Sequence, residues 1–99
     1  MIVIITDEAE VDLEEIGDYI ARNSPRRAVS FVDELVDRCE RLASMHNSFP
    51  FVSGHEHTGV RRRPYGEYLI FYRFDEAGVK VLRILNGARD HESIVFPEP

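Results

Sequence analysis

Residues 79–91 read Val-Lys-Val-Leu-Arg-Ile-Leu-Asn-Gly-Ala-Arg-Asp-His, an apolar run followed at once by a charged cluster. The run 79–86 has the length and composition of a buried strand, which places Arg89, Asp90 and His91 at the end of that strand. Arg83 interrupts the run, and a buried arginine requires a partner. We expect Asp90 or Glu67 to supply it, and we expect Arg83→Ala to destabilise the protein more than a surface substitution at Arg61 does.

Two more strands are predicted immediately before this run, at 59–63 and 67–74. The segments 64–66 and 75–78 carry strong turn signals, and such short links favour an antiparallel meander. Both faces of the middle strand are partly apolar, with residues 68, 70, 72 and 74 on one face and 69 and 71 on the other. We expect the second apolar face either to bind a partner or to be filled by the chain's own preceding loop.

The first half of the chain predicts a strand followed by two helices. Residues 2–5 are apolar and indicate a strand buried on both faces, and Asp7 with Glu10 resembles a helix-capping box. The first helix carries an apolar stripe and leaves Asp12, among other acidic residues, to solvent. The segment Asn23-Ser24-Pro25 ends it and starts a second helix, so the two form a hairpin. The stripe of the second helix comprises Ala28, Phe31, Val32, Leu35, Cys39, Leu42 and Ala43, and residues 46–57 read as a loop.

Length and charge restrict the function classes. The 99 residues suffice for one domain, 1–99, with one core. The net charge of −6 opposes direct DNA binding, and eleven of the twelve basic residues are arginine, which favours planar, bidentate contacts. The apolar N-terminal run is too short for a signal peptide or membrane span, and the single Cys39 permits no internal disulfide. We therefore expect a cytoplasmic protein without a membrane association.

The order of these elements resembles the ParE branch of the RelE/ParE superfamily, the toxin halves of bacterial type II toxin–antitoxin pairs. The resemblance rests on four local matches: Ser24-Pro25-Arg26-Arg27-Ala28, the pattern Phe31-Val32 with Leu35, Tyr68-Leu69-Ile70-Phe71-Tyr72-Arg73, and Leu85-Asn86-Gly87-Ala88-Arg89-Asp90. It implies an α+β fold in which an N-terminal strand and a two-helix hairpin pack on an antiparallel sheet with a C-terminal three-strand meander.

The resemblance also implies a growth-inhibiting toxin that binds and traps DNA gyrase. It further implies a cognate ParD-like antitoxin of the ribbon-helix-helix type that neutralises the toxin. No cofactor is expected, and no catalytic residue is needed for this activity. The residues expected to contact antitoxin or target are Arg61, Arg63, Tyr68, Tyr72, Arg83 and Arg89.

Two alternatives stay open. A RelE-like ribosome-dependent messenger-RNA endoribonuclease would use Arg61, Arg83 and Arg89 to hold phosphate and His91 as acid or base. The scarcity of lysine and the acidic net charge disfavour it. A degenerate member that binds its antitoxin but has lost toxicity is the other alternative.

Three local features also have structural interpretations. Arg61 to Arg63 fit a solvated strand, and Arg89 with Asp90 fit an ion pair or turn hydrogen bond that locks the strand end. The run His55-Glu56-His57 contains zinc-ligand types, but no third ligand is evident, so we expect no metal site.

Overall fold

Four strands form one mixed sheet in the order β1-β4-β3-β2, and the computed structural model describes residues 1–98. The strands are β1 Val3–Ile5, β2 Arg61–Tyr65, β3 Tyr68–Asp75 and β4 Gly78–Asn86. The helices are α1 Asp7–Ala21, α2 Pro25–Glu40, α3 Leu42–Met45 and α4 His91–Val95, with a short 3-10 turn at Glu56–Thr58. None of the described helices is both long and apolar enough to cross a membrane.

The α+β architecture and the C-terminal meander are confirmed, but the sheet is not wholly antiparallel. β2, β3 and β4 pair antiparallel, whereas β1 pairs parallel to β4, with Val3 opposite Val79. The parallel pair arises because the helices separate β1 from the meander, so the chain crosses one face of the sheet before it returns. β1 is also an edge strand, and Ile4 is 45% exposed, so the expectation of burial on both faces was wrong.

α1 begins one residue earlier than the capping-box pattern predicted. Thr6, not Asp7, is the N-cap, and its hydroxyl accepts a hydrogen bond from the Ala9 amide at 3.3 Å. The same hydroxyl donates to the Val81 carbonyl at 2.8 Å, while the Thr6 amide donates to that carbonyl at 3.1 Å. Thr6 therefore joins the start of α1 to β4.

The hairpin link is confirmed in detail. Ser24 caps α2 by accepting a hydrogen bond from the Arg27 amide at 3.1 Å, and Pro25 opens the helix. Gly17 faces α2, where a Cβ would lie 3.4 Å from a Val32 methyl carbon. α2 ends at Glu40 rather than running through Ala43, and the chain continues into the separate turn of α3.

The sheet has an apolar layer on each face. The hairpin covers the first face, where eleven residues form the larger core: Ala9, Leu13, Ile16, Leu35, Cys39, Leu42, Ile70, Tyr72, Val79, Val81 and Ile84. A smaller cluster of Val52, Val60, Phe71 and Leu85 occupies the second face, against Ile94, Val95 and Phe96 of the C-terminal segment. The chain's own loop and C-terminal segment thus cover much of the second face.

The β3–β4 turn depends on a glycine. Gly78 has a φ of +138°, and a Cβ at this position would lie 2.6 Å from the carbonyl oxygen of Ile2. Only glycine permits that approach. Its neighbour Val79 donates to the same carbonyl at 2.8 Å, so the turn also aligns β4 with β1.

Candidate functional site

Asp12 and Arg83 form the most buried charged contact of the described residues. Asp12 is 2% exposed, and the two residues share bidentate hydrogen bonds of 2.8 Å from the Arg83 Nε and Nη2 atoms. The backbone amide of Ile84 donates to the same carboxylate, also at 2.8 Å. Arg83 is therefore paired, as its place in an apolar strand required, but the partner is neither Asp90 nor Glu67. Bonding to Asp12 raises the pKa of Arg83 above its ordinary value.

A β-bulge sets the face of β4 on which Arg83 lies. Phe71 pairs with Arg83 and Tyr72 pairs with Val81, which leaves Leu82 as an extra residue in β4. The alternation of side chains shifts there, so Ile84 joins Val79 and Val81 on the hairpin face. Arg83 instead lines a cavity beside Thr6, near the start of α1.

The end of β4 lies at a small cavity of about 270 Å³ between α1 and the sheet. Tyr68 and Arg89 line it, together with the carboxylates of Glu15 and Glu67 and the exposed ring of Tyr19. Tyr68 is half-buried, and burial raises the pKa of its hydroxyl. Two of the predicted binding residues, Tyr68 and Arg89, therefore share one surface site.

Of the two predicted forms of the Arg89–Asp90 latch, the turn hydrogen bond is present, since the Arg89 amide donates to the Asn86 carbonyl at 3.1 Å, and the ion pair is not found among the described residues. No ion pair joins these residues within 1–98; Asp90 instead caps α4 through the amide and hydroxyl of Ser93, at 3.5 and 3.0 Å. The turn after β4 is fixed by the Gly87 amide, which donates to the Glu67 carbonyl at 2.8 Å. Arg89 itself is exposed.

The residues of the ribonuclease alternative are divided between the two faces of the sheet. Arg61 pairs across from Tyr72 and contacts Phe49 and Phe51 on the hairpin side of the sheet. His91 lies on the opposite face, where its ring centroid is 5.3 Å from that of Phe71. Arg83 and Arg89 line two different cavities. The sheet therefore separates Arg61 from His91, whereas Arg83 is opposite Phe71 in register, the ring that His91 contacts.

Tyr72, another predicted binding residue, has no exposed surface. Its hydroxyl donates to the backbone carbonyl of His46 at 2.8 Å, and burial raises its pKa. In this fold Tyr72 is a core residue that leaves no side-chain surface for a partner.

The three consecutive arginines of β2 are all partly buried rather than solvated. The guanidinium carbon of Arg61 lies 4.0 Å from the centroid of the Phe51 ring, and that of Arg63 lies 4.9 Å from the centroid of Phe49. Arg61 also donates to the Phe49 carbonyl at 2.7 Å. Strand alternation places Arg62 on the other face, opposite Phe71 in register.

A groove of about 640 Å³ runs between α1 and α2 on the outer side of the hairpin. Its apolar lining comprises Leu13, Gly17, Ala21, Pro25, Ala28, Val29, Val32 and Val36, and its acidic residues are Glu10, Glu14, Asp18 and Asp33. Val29 is 65% exposed. An apolar groove lined with carboxylates suits an amphipathic helix that carries basic residues.

The histidine-rich loop shows no metal-site geometry. His55 stacks on Phe96, with ring centroids 3.9 Å apart and planes within 1°, and its Nε2 lies 3.9 Å from a Glu92 carboxylate oxygen. In residues 1–98 no three His, Cys, Asp or Glu side chains are grouped to hold a metal ion. Cys39 is fully buried, and burial raises the pKa of its thiol to about 12.

The family model of the ParE toxin of the type II toxin–antitoxin system parDE matches residues 3–91. The chain belongs to the ParE toxin family. The ParE fold is also evident in a chain of the chromosomal ParDE toxin–antitoxin system from P. aeruginosa, with a TM-score of 0.71 and 25% identity, covering 87% of this chain and 95% of that one.

The RelE side of the superfamily shares the fold with this ParE-type toxin. A chain of the RelBE2 toxin–antitoxin complex from Mycobacterium tuberculosis matches with a TM-score of 0.56 and 22% identity, over 85% of this chain and 94% of that one. No curated protein matches the chain. The ParE family match and the likeness to the ParDE structure confirm the recognition of the superfamily and of its ParE branch.

Sequence reasoning about this ParE-type toxin missed Asp12. It was assigned to solvent, yet it follows Ala9 by three residues and precedes Ile16 by four, which places it on the border of the apolar stripe. A carboxylate at the border of the apolar stripe and an arginine within an apolar strand together indicate a buried ion pair between α1 and β4. The α1/α2 groove was missed because Val29 and Val36 lie outside the stripe assigned to the core.

Proposed function

We propose that this ParE-type toxin acts in the cytoplasm by binding DNA gyrase and inhibiting it without chemistry of its own. The observation that carries the proposal is the separation of the nuclease candidates, with Arg61 and His91 on opposite faces of the sheet. RNA cleavage through the 2′-hydroxyl requires an acid, a base and a cation within hydrogen-bond reach of one phosphate. A binding protein has no such requirement.

Arg83 gives the same argument further support. Its Nε and Nη2 atoms are already engaged by the Asp12 carboxylate, and this ion pair neutralises the charge that a phosphate site would use.

We propose that a cognate ParD-like antitoxin neutralises the toxin by laying an amphipathic helix in the α1/α2 groove. The apolar lining offers the area that such a helix buries, and the carboxylates of Glu14 and Asp33 favour basic residues on its flanks. The likeness to a chromosomal ParDE system supports an antitoxin of the ParD kind. The ribbon-helix-helix type follows from the family resemblance.

Two assays on the protein expressed without an antitoxin test the target. Gyrase inhibition predicts loss of plasmid supercoiling in cells, and in a reaction of purified toxin with gyrase, while messenger RNA stays intact. Cleaved messenger RNA with normal supercoiling would establish the ribonuclease instead. Normal growth, with normal supercoiling and uncleaved messenger RNA, would indicate that toxicity has been lost.

The groove is tested separately with a matched pair of variants. Val29 lines the groove, whereas Val11 is a similarly exposed valine on α1 outside it. We expect Val29→Glu to abolish protection by the co-expressed antitoxin and to leave toxicity intact, because a carboxylate would enter an already acidic groove. Val11→Glu should keep both properties. Equal protection of the two variants would exclude the groove as the antitoxin site.

A further inference from the structure

Four arginines gather at the β2 edge of the sheet, and we name them the arginine edge: Arg38, Arg41, Arg61 and Arg63. Arg38 and Arg41 come from the end of α2, while Arg61 and Arg63 project from β2 on its hairpin side. Three of the four guanidinium groups lie over aromatic rings. The pairs are Arg61 on Phe51 at 4.0 Å, Arg38 on Tyr65 at 4.7 Å and Arg63 on Phe49 at 4.9 Å.

The carboxylates of the arginine edge lie at its α2 end, where Glu34 accepts a hydrogen bond from the Tyr65 hydroxyl. Asp37 binds both Arg38 and Arg41, at 2.6 and 2.8 Å. Within residues 1–98 no carboxylate forms an ion pair with Arg61 or Arg63, and the buried Nε atoms of both lack a hydrogen-bond partner. Burial, and then repulsion from Arg38 and Arg41, lowers the pKa of Arg63. A negatively charged ligand would relieve the repulsion.

Stacking prepares these arginines to recognise a carboxylate. A guanidinium whose face lies on a ring keeps its N–H groups in the plane, where they bind carboxylates bidentately. Phe51, beside Arg61, is 42% exposed, and arginine with exposed aromatic rings is the composition typical of protein–protein hot spots.

We infer that the arginine edge binds an acidic segment of a partner protein, with carboxylates on Arg61 and Arg63 and an apolar side chain on Phe51. Nucleic acid fits this surface less well. The chain's single lysine, Lys80, lies on β4 rather than at the β2 edge, so the edge lacks the flexible point charges that track a phosphate backbone. The inference is independent of gyrase as the target and of the α1/α2 groove.

The test uses fluorescence anisotropy with a labelled peptide of alternating glutamate and serine around one central leucine. The same peptide with glutamine in place of glutamate, and a single-stranded oligonucleotide of equal net charge, serve as competing probes. We expect Arg63→Gln and Arg61→Gln each to weaken binding of the glutamate peptide about tenfold, the loss of one charge-assisted contact. Arg73→Gln is the matched control, because Arg73 is exposed on β3 outside the edge.

Circular dichroism melting verifies that each variant folds. Should the partly buried Arg63 or Arg61 variant melt early, the exposed Arg41→Gln replaces it, with an expected weakening of about threefold from one lost charge. The inference is overturned if the wild-type protein does not bind the glutamate peptide, or if the edge variants bind it as tightly as Arg73→Gln. It is also overturned if the glutamine peptide or the oligonucleotide binds as tightly as the glutamate peptide.

Discussion

Removal of the Arg83 side chain is expected to destabilise this toxin substantially, because the arginine supplies two of the three hydrogen bonds to the buried Asp12 carboxylate. Breaking a buried ion pair from one side costs about 3–5 kcal/mol. The Arg83 side chain is 27% exposed, so water replaces part of what is lost. We therefore expect Arg83→Ala to lower the free energy of unfolding by about 2–3 kcal/mol.

The partner substitution should cost more. Asp12→Ala leaves the Arg83 guanidinium without its acceptor and also removes the acceptor of the Ile84 amide. An unsatisfied buried amide adds about 1–3 kcal/mol, which gives a total of about 3–6 kcal/mol. The double variant should cost less than the sum of the single variants, with a coupling free energy of about 1.5–3 kcal/mol.

Thermal and urea unfolding followed by circular dichroism measure these differences. For a chain of this size we expect Arg83→Ala to lower Tm by about 10–20 °C. Arg73→Ala is the matched control, with an expected change within about 0.5 kcal/mol, since Arg73 is exposed. Arg61→Ala should fall between them, because Arg61 bonds to the Phe49 carbonyl and is not the surface residue that the sequence indicated. Equal melting temperatures for Arg83→Ala and Arg73→Ala, or additive effects in the cycle, would refute the reasoning.

Three further outcomes follow from other contacts. Hydrogen bonding to Arg27 lowers the pKa of Glu34, so the contribution of ionised Glu34 to folding stability is complete above the ordinary pKa of 4.5 and is lost as pH falls through the lowered pKa. Glu34→Gln should therefore flatten the acid limb of a Tm-against-pH curve, and an unchanged limb would contradict this. Cys39 should react with a thiol-specific reagent at neutral pH only after unfolding, because burial raises its pKa to about 12; rapid reaction of native protein would disprove it. Phe96→Ala removes the ring that stacks on His55 and should increase amide hydrogen exchange in α4 while β3 stays protected. Unchanged exchange in α4 would show that the stacking does not stabilise this helix.

Helices and strands could be predicted from the sequence wherever a local pattern of neighbouring residues indicates them. The apolar stripe of α1, the Ser24-Pro25 start of α2 and the alternation in β3 each depend on neighbouring residues only, and the structure agrees with them. The parallel pairing of β1 was not predictable in this way, because hydrogen bonds between strands so distant in sequence leave no local periodicity. All three residues of β1 are apolar, and such a sequence does not reveal which of their side chains face solvent.

The candidate site was harder to predict because contacts over a long sequence separation decide it. Asp12 and Arg83 are 71 residues apart, and each looked ordinary or misplaced without the other. The bulge at Leu82 then exchanges the faces of the sheet on which the side chains after Leu82 lie, and Arg83, a predicted site residue, follows it directly. A one-residue shift of register moves side chains to the other face, so regular alternation could not show where Arg83 would point.

The same pair determines how functional substitutions in this toxin should be interpreted. Loss of toxicity in Arg83→Ala would report unfolding as readily as a lost contact, because its guanidinium holds α1 against β4. Tyr72 has the same ambiguity, since it is fully buried. Arg89 is exposed and makes no side-chain hydrogen bond in the described residues, so its substitution leaves the core untouched. A loss of toxicity at Arg89 with unchanged Tm would therefore identify a target contact, and that conclusion cannot be drawn at Arg83.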